Sequence, residues 1–584
     1  MTLALSGHVV EGGIAVGHTH IVRHNELEIG EYRIQPEQVE AEVERLNHAL
    51  DMARDHLRGL ASTVRAKAGP AAEEVINTHI AMLEDASVAG ATARHIQRKL
   101  CNAEWALQLQ LEALLTQFRA IDDAYIRSRE DDAMQVVRMV QQQLSADPAA
   151  RPLSEVPDRL GQTLVIASEL TPGELAVLHD RGVAGVVTEH GSPYSHTAIL
   201  ARSLGVPTVV GVHHAQALVK EGERLILDGH YGIVFADPEE SILEHYLAKQ
   251  AQSRSFRKAL DAIRDRPAVS LDGCRVTLMA NAERSEDIEA ALRDGAEGVG
   301  LFRSEFLFLQ GVPPDEESQF RQYSEALKAA GGKPLTIRTL DLGADKGADL
   351  LDFESLRSHP NPALGLRAVR LCLREVDIFK AQLRAILRTS ALGPVRCLIP
   401  MLTSSREVQA VRSLLDETCA ELRLAGVDFD PDMPLGGMIE VPAAALAMES
   451  VCAGLDFVSV GTNDLVQYAL AADRVDETVA HLYDPQHPGV IHLLSHVFHA
   501  AQRMNLPLAV CGELAGDRRY TRILLALGLR EFSMQPRYLL EVKKVIMETD
   551  VACAAKALRD WLQKGSREGF ATLAHYLDHC QTQA

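Results

Sequence analysis

From about Val269 onwards, short apolar segments alternate with helical patterns eight times. The eight candidate strands are RVTLMANAE, GVGLFRSE, PLTIRTLDLG, VRCLIPML, LGGMIEVP, FVSVGTNDL, LAVCGEL and EFSM. Parallel strands need crossover helices between them, and eight such units over roughly 300 residues are typical of a closed (β/α)8 barrel. This repeat constrains the fold more than any other feature, and it predicts a TIM-type barrel in the C-terminal half.

The N-terminal part has the pattern of a second α/β region that a helical segment interrupts. GGIAVGHTHIV near the start is a glycine-rich strand, whereas Glu37 to Ser145 is rich in Ala, Glu, Leu, Arg and Gln with apolar residues every three or four positions. That pattern predicts a helical bundle or a pair of long helical hairpins. After Pro152, the strands TLVIAS, GVAGVVTE, TVVGV, RLILDG and GIVFAD alternate with helices. We expect the N-terminal strand to complete this α/β domain.

These patterns predict a multidomain α/β chain in four parts. Residues 1–32 and 149–237 form an α/β domain, 33–148 a helical domain inserted into it, 238–266 a linker helix and 267–584 the barrel. The linker is predicted from PEESILEHYLAKQAQSRSFRKALDAI, which has Pro and two Glu in its first turn and no later Gly or Pro.

Composition excludes several classes of function. The formal charge of −21 argues against a general affinity for nucleic acid or an anionic membrane. Nine scattered cysteines without a CxxC pair argue against a disulfide framework or a structural metal site. The start lacks the features of a signal peptide, and no run of about 18 apolar residues follows. We therefore expect a cytoplasmic protein with no nucleic-acid partner and no membrane insertion.

Polar side chains end five of the eight predicted barrel strands. They are Arg303 and Glu305, Arg338 and Asp341, Glu440, Asn463 and Asp464, and Cys511 and Glu513, with Arg474 after the sixth strand. Substrates bind at the C-terminal ends of barrel strands. Arginines hold phosphate and carboxylate, and Mg²⁺ takes one or two carboxylates plus ligand oxygens. A surface charge or an ion pair would explain any one of these residues, but the set predicts a site for a small phospho-carboxylate.

The segment GSPYSHTAILARSLGVP places His196 at the start of an amphipathic helix. The free N–H groups of a helix N-terminus favour anions and disfavour a protonated imidazole. The ring would stay neutral and nucleophilic, and a phosphoryl group on it would be stabilised. A packing or surface histidine is the alternative for the residue alone, but its context predicts a phosphohistidine site.

These motifs resemble those of the phosphoenolpyruvate-utilising enzymes. GSPYSHTAILARSLGVPTVVG is similar to their phosphohistidine segment, and GLFRSEFLF, IRTLDLGADK, IEVPAAA, DFVSVGTNDLVQYALAADR and CGELAGD are similar to their phosphoenolpyruvate-binding half. The order of the parts resembles Enzyme I, the family of phosphoenolpyruvate-protein phosphotransferases of the bacterial sugar phosphotransferase system. The resemblance covers essentially the whole chain.

The resemblance implies a role for His196 and for seven residues of the barrel. His196 would accept the phosphoryl group and pass it to a histidine of the carrier protein HPr, and Cys511 would protonate the enolate carbon. Phosphoenolpyruvate would be bound by Arg303, Arg338, Asn463, Asp464 and Arg474, and Mg²⁺ by Glu440 and Asp464. Arg367 is expected near the site or in a structural ion pair. The family also implies a homodimer through the barrel and a swivelling N-terminal part.

The resemblance further implies that HPr docks on the helical insertion. The matching segment is AAEEVINTHIAMLEDASV, in which the candidate contacts are Glu73, Glu74, His79, Met82, Leu83, Glu84 and Asp85. These residues recur at helical spacings, and an ordinary solvated acidic face is the alternative interpretation.

The chain departs from the family pattern around its histidine. Ser192 and Tyr194 stand where the family has glycine and threonine, and Leu175 stands where it often has a threonine that bonds the ring. We expect Tyr194 or Ser195 to orient the ring instead. An ATP-dependent dikinase or synthase is one alternative, but no glycine-rich phosphate loop precedes the histidine domain. A nonenzymatic regulatory relative is the other, and the intact site residues disfavour it. The start at GIAVG favours the sugar branch over the nitrogen-regulatory branch.

Overall fold

The computed structural model describes residues 2–22, 30–68, 70–85, 89–119, 129–144, 159–193, 195–308, 313–342, 361–474, 476, 478–564 and 577. For some helical residues, among them Glu73, Glu74 and His196, the backbone alone is described. The chain forms two compact units, Met1–Phe256 and Arg257–Ala584.

The first unit is built on one eight-stranded mixed sheet. Its strands are β1 (Leu3–Ser6), β2 (His8–Glu11), β3 (Ile14–Val22), β4 (Thr163–Ala167), β5 (Gly185–Thr188), β6 (Thr208–Val210), β7 (Arg224–Asp228) and β8 (Ile233–Ala236). Their spatial order is β1-β8-β7-β3-β4-β5-β6-β2. Strand β3 pairs in parallel with β4 and antiparallel with β7. The N-terminal strand therefore completes the α/β sheet across the helical insertion, as its sequence predicts.

Gly7 lies where the two edges of this sheet approach each other. It alone separates β1 from β2, which occupy opposite ends of the strand order. Its amide donates to the carbonyl of Gly232 at 2.9 Å, and a Cβ on it would lie 2.5 Å from the carbonyl oxygen of Val210. The sheet thus curls until its edges nearly meet, and this position has no room for a side chain.

Helices cover the sheet and form the insertion. The described helices of this unit are α1 (Val39–Ala68), α2 (Pro70–Glu84), α3 (Ala89–Lys99), α4 (Ala103–Arg119), α5 (Arg129–Leu144), α6 (Pro172–Asp180), α7 (His196–Leu204), α8 (Ala215–Leu218) and α9 (Glu240–Asp261). Helices α1 to α5 form the insertion, so its predicted helical character is confirmed for the described residues.

Strand β4 supports two hydrophobic cores. Val165 and Ala167 belong to the core that contains buried residues of the helical insertion, such as Leu46. Leu164 and Ile166 belong to a separate core on the opposite face of the sheet. Successive side chains of a strand point to opposite faces, which explains how one strand serves both cores. The insertion and the sheet therefore share a continuous core and pack as one unit.

Helix α9 matches the predicted linker. It begins two residues after Pro238 and continues to Asp261, and the boundary between the two compact units falls within it, after Phe256. Its interior contains no Gly or Pro, consistent with an uninterrupted helix. The finer division of the first unit into two domains stays a prediction.

The second unit contains a closed barrel of eight parallel strands. They are β9 (Thr277–Ala282), β10 (Val299–Arg303), β11 (Leu335–Arg338), β12 (Val395–Ile399), β13 (Leu435–Ile439), β14 (Phe457–Val460), β15 (Leu508–Val510) and β16 (Glu531–Met534). Each pairs in parallel with the next, and β16 closes the barrel against β9. Every strand lies within one of the eight segments predicted from the sequence, and the predicted barrel is confirmed.

Helices surround the barrel. The described ones are α10 (Ser285–Arg293), α11 (Glu316–Ala329), α12 (Val369–Arg374), α13 (Val376–Ser390), α14 (Ser405–Leu424), α15 (Pro442–Leu446), α16 (Met448–Val451), α17 (Thr462–Leu470), α18 (Pro488–Met504), α19 (Glu513–Gly516), α20 (Arg518–Leu527), α21 (Leu539–Met547) and α22 (Val551–Lys564). No helix in the described ranges has both the length and the apolar character needed to cross a membrane.

Candidate active site

A cavity of about 310 Å³ lies at the carboxyl ends of the barrel strands. The seven barrel residues to which the resemblance assigns a role all line it, namely Arg303, Arg338, Glu440, Asn463, Asp464, Arg474 and Cys511. Arg303 and Arg338 are the last residues of β10 and β11, and Glu440 and Cys511 directly follow β13 and β15. A parallel barrel brings all its strand ends to one face, which explains how residues so distant in sequence meet.

Each of the three cavity arginines is paired with a glutamate. The pairs are Arg338–Glu305 at 2.7 Å, Arg303–Glu283 at 2.9 Å and Arg474–Glu513 at 3.2 Å. The first pair is largely buried, whereas Glu283 and Glu513 are more than half exposed. The glutamates hold the guanidinium groups at the cavity. In that position the guanidinium groups can bind anions.

Arg338 is the most buried of these arginines, with 8 % of its surface exposed. Its Nη1 lies 3.0 Å from the Asp341 carboxylate, and its Nη2 donates to Glu305. Burial alone would lower the pKa of Arg338, but the charges of Glu305, Asp341 and Glu440 outweigh burial and raise it. The guanidinium therefore stays charged inside the barrel mouth.

Glu440 lies among like charges. Its Oε1 accepts from the amide of Met401 at 2.6 Å, and its side chain is buried. Burial raises the pKa of Glu440 to about 8, with further contributions from the negative charges of Asp341 and Asp464, and Arg338 opposes the rise. Burial and the charges of Asp341 and Asp464 thus oppose ionisation of Glu440, so a cation beside these residues would favour its charged form.

Two of these carboxylates fit a Mg²⁺ ion. Within the described ranges, no three His, Cys, Asp or Glu side chains form a complete metal site by themselves. Mg²⁺ commonly takes only one or two protein carboxylates and completes its octahedron with ligand oxygens and water. Glu440 and Asp464 both line the cavity. Gly461 leaves room for the second oxygen of Glu440, since a Cβ at this glycine would lie 2.7 Å from it.

Arg367 lies behind the cavity and holds two of these carboxylates. Its Nη2 donates to Asp341 at 2.9 Å and to Asp464 at 3.2 Å, and Nη1 donates to the hydroxyl of Tyr468 at 3.3 Å. Burial would lower the pKa of Arg367, but Asp341 and Asp464 raise it. Both sequence-based interpretations hold, because the residue lies next to the site and forms an ion pair there.

Cys511 contributes a buried thiol to the cavity. Only 3 % of its surface is exposed, and it packs with Leu301, Met438 and two other apolar residues inside the barrel. Its Sγ lies 3.7 Å from the carbonyl oxygen of Val460. Burial raises the pKa of the Cys511 thiol, so the group stays protonated at neutral pH and can donate a proton.

Asn463 and Glu513 bind each other in both directions. The Asn463 amide Nδ2 donates to the Glu513 carboxylate at 3.1 Å, and the backbone N–H of Glu513 donates to Asn463 Oδ1 at 2.9 Å. Gly512 permits this approach, because a Cβ on it would lie 1.9 Å from the hydroxyl of Thr462. The end of β15 and the start of α17, which follows the adjacent strand β14, are therefore joined.

Glu283 is the site residue that the sequence-based reasoning missed. It directly follows β9 and lines the cavity, where it pairs with Arg303. The signal was present, since the first strand segment, RVTLMANAE, ends on this acid. A test of all eight strand ends would have found it.

In the first unit, His196 begins helix α7. Ser195 precedes the helix and its Oγ accepts from the amide of Ala198 at 3.2 Å, so the predicted helix N-terminus is present. Ser195 and Thr197, the neighbours of His196, line a cavity of about 310 Å³ together with the buried Leu175. The His196 side chain and Tyr194 lie outside the described residues, so the predicted arrangement around the ring stays a prediction.

The predicted partner-binding residues divide between the surface and the core of the insertion. Glu84 and Asp85 are exposed and Met82 is half-buried, whereas His79 and Leu83 are each only 1 % exposed. Glu84 pairs with Arg58 of α1 at 3.0 Å. His79 and Leu83 were candidate contacts, but the helical period turns them with Ile76 toward the bundle core, so they do not lie on the surface. Glu73 and Glu74 have no described side chains.

Three family descriptions match most of the chain. The description "PEP-utilising enzyme, PEP-binding domain" matches residues 257–551, "PEP-utilising enzyme, N-terminal" matches 6–129, and "PEP-utilising enzyme, mobile domain" matches 161–232. The first of these covers the barrel with its cavity, and the third covers the segment around His196.

Curated relatives are similar over nearly the full length. A phosphoenolpyruvate-protein phosphotransferase of Cupriavidus necator is 42% identical over 554 residues, which is 94% of this chain and 94% of that protein. A protein of the same name from Haemophilus influenzae is 35% identical over 557 residues, or 95% of this chain and 96% of that one. A solved NMR structure of an Enzyme I protein is 27% identical and covers 43% of this chain and 99% of its own, with a TM-score of 0.36.

Full-length identity to these relatives agrees with the three domain matches in chain order. The chain therefore belongs to the family of phosphoenolpyruvate-utilising enzymes, among the relatives of the phosphoenolpyruvate-protein phosphotransferases.

Proposed function

We propose that this protein transfers the phosphoryl group of phosphoenolpyruvate to its own His196 and then to a histidine of an HPr-type carrier, releasing pyruvate. The observation that carries the proposal is the barrel cavity, in which three arginines, an amide, two carboxylates and a thiol predicted from the sequence meet. A small ligand with both a phosphate and a carboxylate matches this set of charges.

Arg303, Arg338 and Arg474 bind the two anionic groups of the substrate. Arg338 supplies a buried and permanently charged donor, whereas Arg303 and Arg474 are more exposed and paired only with exposed glutamates. Phosphoryl transfer depends mainly on positioning and on stabilising charge over the phosphoryl oxygens, and guanidinium groups supply both. Asn463 adds an amide donor to the lining of the cavity.

Glu440 and Asp464 hold Mg²⁺ in this proposal. When bound, the ion supplies Lewis-acid stabilisation of the negative charge that the reaction shifts between oxygens. The chain prepares its two ligands differently: Arg367 and the amide of Met401 orient Asp464 and Glu440, respectively. The position of both carboxylates in the lining of the cavity, beside the three arginines, supports the assignment.

Cys511 is the proton donor in this proposal. Transfer of the phosphoryl group to the His196 nitrogen breaks the P–O bond and leaves enolpyruvate, whose terminal carbon must gain a proton to become pyruvate. The buried Cys511 thiol lines the cavity and keeps its proton at neutral pH. Donation converts the thiol into a thiolate, which water or a buffer acid reprotonates before the next turnover.

His196 must meet both the substrate and the carrier during one cycle. We propose that the first unit moves as a body about α9, in which the boundary between the compact units lies. The half-buried Met82 and the exposed Glu84 at the end of α2, with the exposed Asp85 directly after it, support a carrier-binding role. We also propose a homodimer through the barrel unit, which rests on the family resemblance.

Labelled phosphoenolpyruvate tests the proposal directly. With Mg²⁺ the full chain should take up acid-labile label, lose it when HPr is added, and release pyruvate in equal amount. His196→Ala should take up none, because it lacks the accepting nitrogen. The matched control is His213→Ala, which removes an exposed histidine of the same α/β sheet region and should label normally.

Two results would contradict the proposal. Label that survives acid would indicate a phosphorylated residue other than histidine, and label retained by His196→Ala would exclude this acceptor. Replacing phosphoenolpyruvate by ATP labelled in its γ-phosphate should give no transfer, and uptake from ATP would instead support the dikinase alternative.

A further inference from the structure

The carboxylate of Glu513 occupies a place suited to an anion. It accepts hydrogen bonds from Asn463 Nδ2 at 3.1 Å and from Arg474 Nη1 at 3.2 Å. Both donors line the cavity assigned to the substrate. The carboxylate thus satisfies two groups that the proposed function reserves for an anionic substrate.

The ion pair of Glu513 with Arg474 is much more exposed than that of Glu305 with Arg338. Its side chain is 73% exposed, whereas that of Glu305, which pairs with Arg338, is 12% exposed. Solvent screens an exposed ion pair, and such pairs contribute little net stability. The Glu513 side chain can therefore leave Asn463 and Arg474 at low cost, and Glu305 cannot leave Arg338 in this way.

A neighbouring cavity gives the Glu513 side chain room to move. It has a volume of about 720 Å³, and Glu513 lies in its lining together with Asn463 and Arg474, which also line the substrate cavity. Its lining includes five arginines and three carboxylates, namely Arg303, Arg474, Arg518, Arg519 and Arg537 with Glu513, Asp517 and Glu541. A displaced carboxylate would thus stay in a net positive region.

We propose that Glu513 is an exchangeable counter-ion that holds Asn463 and Arg474 in the free enzyme and is displaced by an anionic group of the substrate. This inference rests on the proposed function, because it assumes that phosphoenolpyruvate enters this cavity. A Glu513 carboxylate that remained on Arg474 would repel the incoming anion. Asn463 and Arg474 can therefore bind either Glu513 or the substrate, but not both.

The consequence is a competition within the site. Substrate binds only to molecules in which Glu513 has left Asn463 and Arg474. The apparent affinity for substrate is therefore lower than the intrinsic affinity, in proportion to the fraction of molecules in that open state. Removing the negative charge at position 513 should therefore strengthen binding. If Glu513 instead helped to position the donors in the substrate complex, removing it would weaken binding, so the two roles predict opposite signs.

The test measures phosphoenolpyruvate binding by calorimetry in the full chain carrying His196→Ala, in which no transfer follows. Glu513→Gln keeps the shape and an acceptor oxygen but removes the charge, and it should bind phosphoenolpyruvate about two- to fivefold more tightly. Glu513→Ala should show a gain of the same sign. The gain should shrink in high salt, because screening already weakens the parent pair.

Glu541→Gln is the matched control. Glu541 lines the same neighbouring cavity and pairs with Arg518 at 3.8 Å, outside the substrate cavity, so the same charge change there should leave the affinity unchanged. Binding of pyruvate and of inorganic phosphate, measured in the same way, then shows whether the carboxylate or the phosphate of the substrate displaces Glu513. Only the ligand with the displacing group should bind more tightly to Glu513→Gln.

The two hypotheses fail differently. Equal or weaker binding by both Glu513 variants, or an equal gain in Glu541→Gln, would overturn the exchange of counter-ions and leave the proposed function intact. Absence of phosphoenolpyruvate binding to the His196→Ala chain, together with no labelling of the parent, would overturn the proposed function itself.

Discussion

The barrel cavity and the proposed carrier surface draw their residues from the chain in opposite ways. The cavity collects side chains from the ends of six strands, β9, β10, β11, β13, β14 and β15. The carrier surface was predicted on the single helix α2, and there His79 and Leu83 belong to the core. A barrel gathers every strand end at one face, whereas one helix reveals its buried side only when its neighbours are known.

Replacing Cys511 should have the largest effect on activity, and it tests whether the residues gathered in the barrel cavity carry out the reaction. Cys511→Ala should lower the rate of pyruvate formation with HPr present by about 10²- to 10⁴-fold, the usual contribution of a positioned proton donor. A coupled assay of pyruvate release measures the rate. In the parent, the rate should not fall at pH ~8.5, where an ordinary thiol loses its proton, because burial raises the pKa of Cys511.

Cys419→Ala is the control for this prediction, since that thiol lies on α14 away from the cavity lining. It should keep the parent rate. Full activity in Cys511→Ala, or a parent rate that already falls at the ordinary thiol pKa, would remove the cysteine from the proposed proton transfer.

Arg367 tests whether residues behind the cavity matter as much as those that line it. Arg367→Met should lower the free energy of unfolding by about 3–5 kcal/mol, because it removes a partner from the buried Asp341 and from the partly buried Asp464. Chemical denaturation measures this loss. Substrate affinity should also fall through the disturbed Asp464.

Arg503→Met provides the contrast, because the Arg503–Glu449 pair is exposed on both sides and should contribute about 1 kcal/mol or less. Equal stability losses in the two variants would mean that the network around Arg367 has no special importance.

The smallest expected effects distinguish the buried residues of α2 from the exposed acids at its end. Leu83→Ala should cost about 2–5 kcal/mol of unfolding free energy, because it empties a buried position. The double variant Glu84→Gln with Asp85→Asn should leave stability nearly unchanged but weaken HPr binding about two- to fivefold. The weakening should be greater at low salt, where surface charges act over longer distances.

Denaturation and titration with HPr at two salt concentrations separate these effects. Loss of HPr affinity in folded Leu83→Ala, without a loss in the acidic double variant, would indicate that HPr contacts the residues assigned to the core and not the exposed acids.

Much of the barrel could be predicted because its information is local. Each strand is a short apolar run, and the polar residue after it is read directly from the sequence, as for Arg303, Glu440 and Cys511. The glutamate partners could not be predicted in the same way. Arg303 pairs with Glu283 from the preceding strand and Arg474 with Glu513 from the following one, so these pairs depend on neighbouring positions in the closed barrel.

The sequence by itself determined the order of the strands and helices, the polar residues at the strand ends and the helix start at His196. Only the tertiary structure decided which carboxylate holds which arginine, how deeply the thiol of Cys511 is buried and which side of α2 faces solvent. The physical reason is that propensity and hydrophobic period act between near neighbours, whereas burial, charge pairing and pKa depend on residues that only folding brings together.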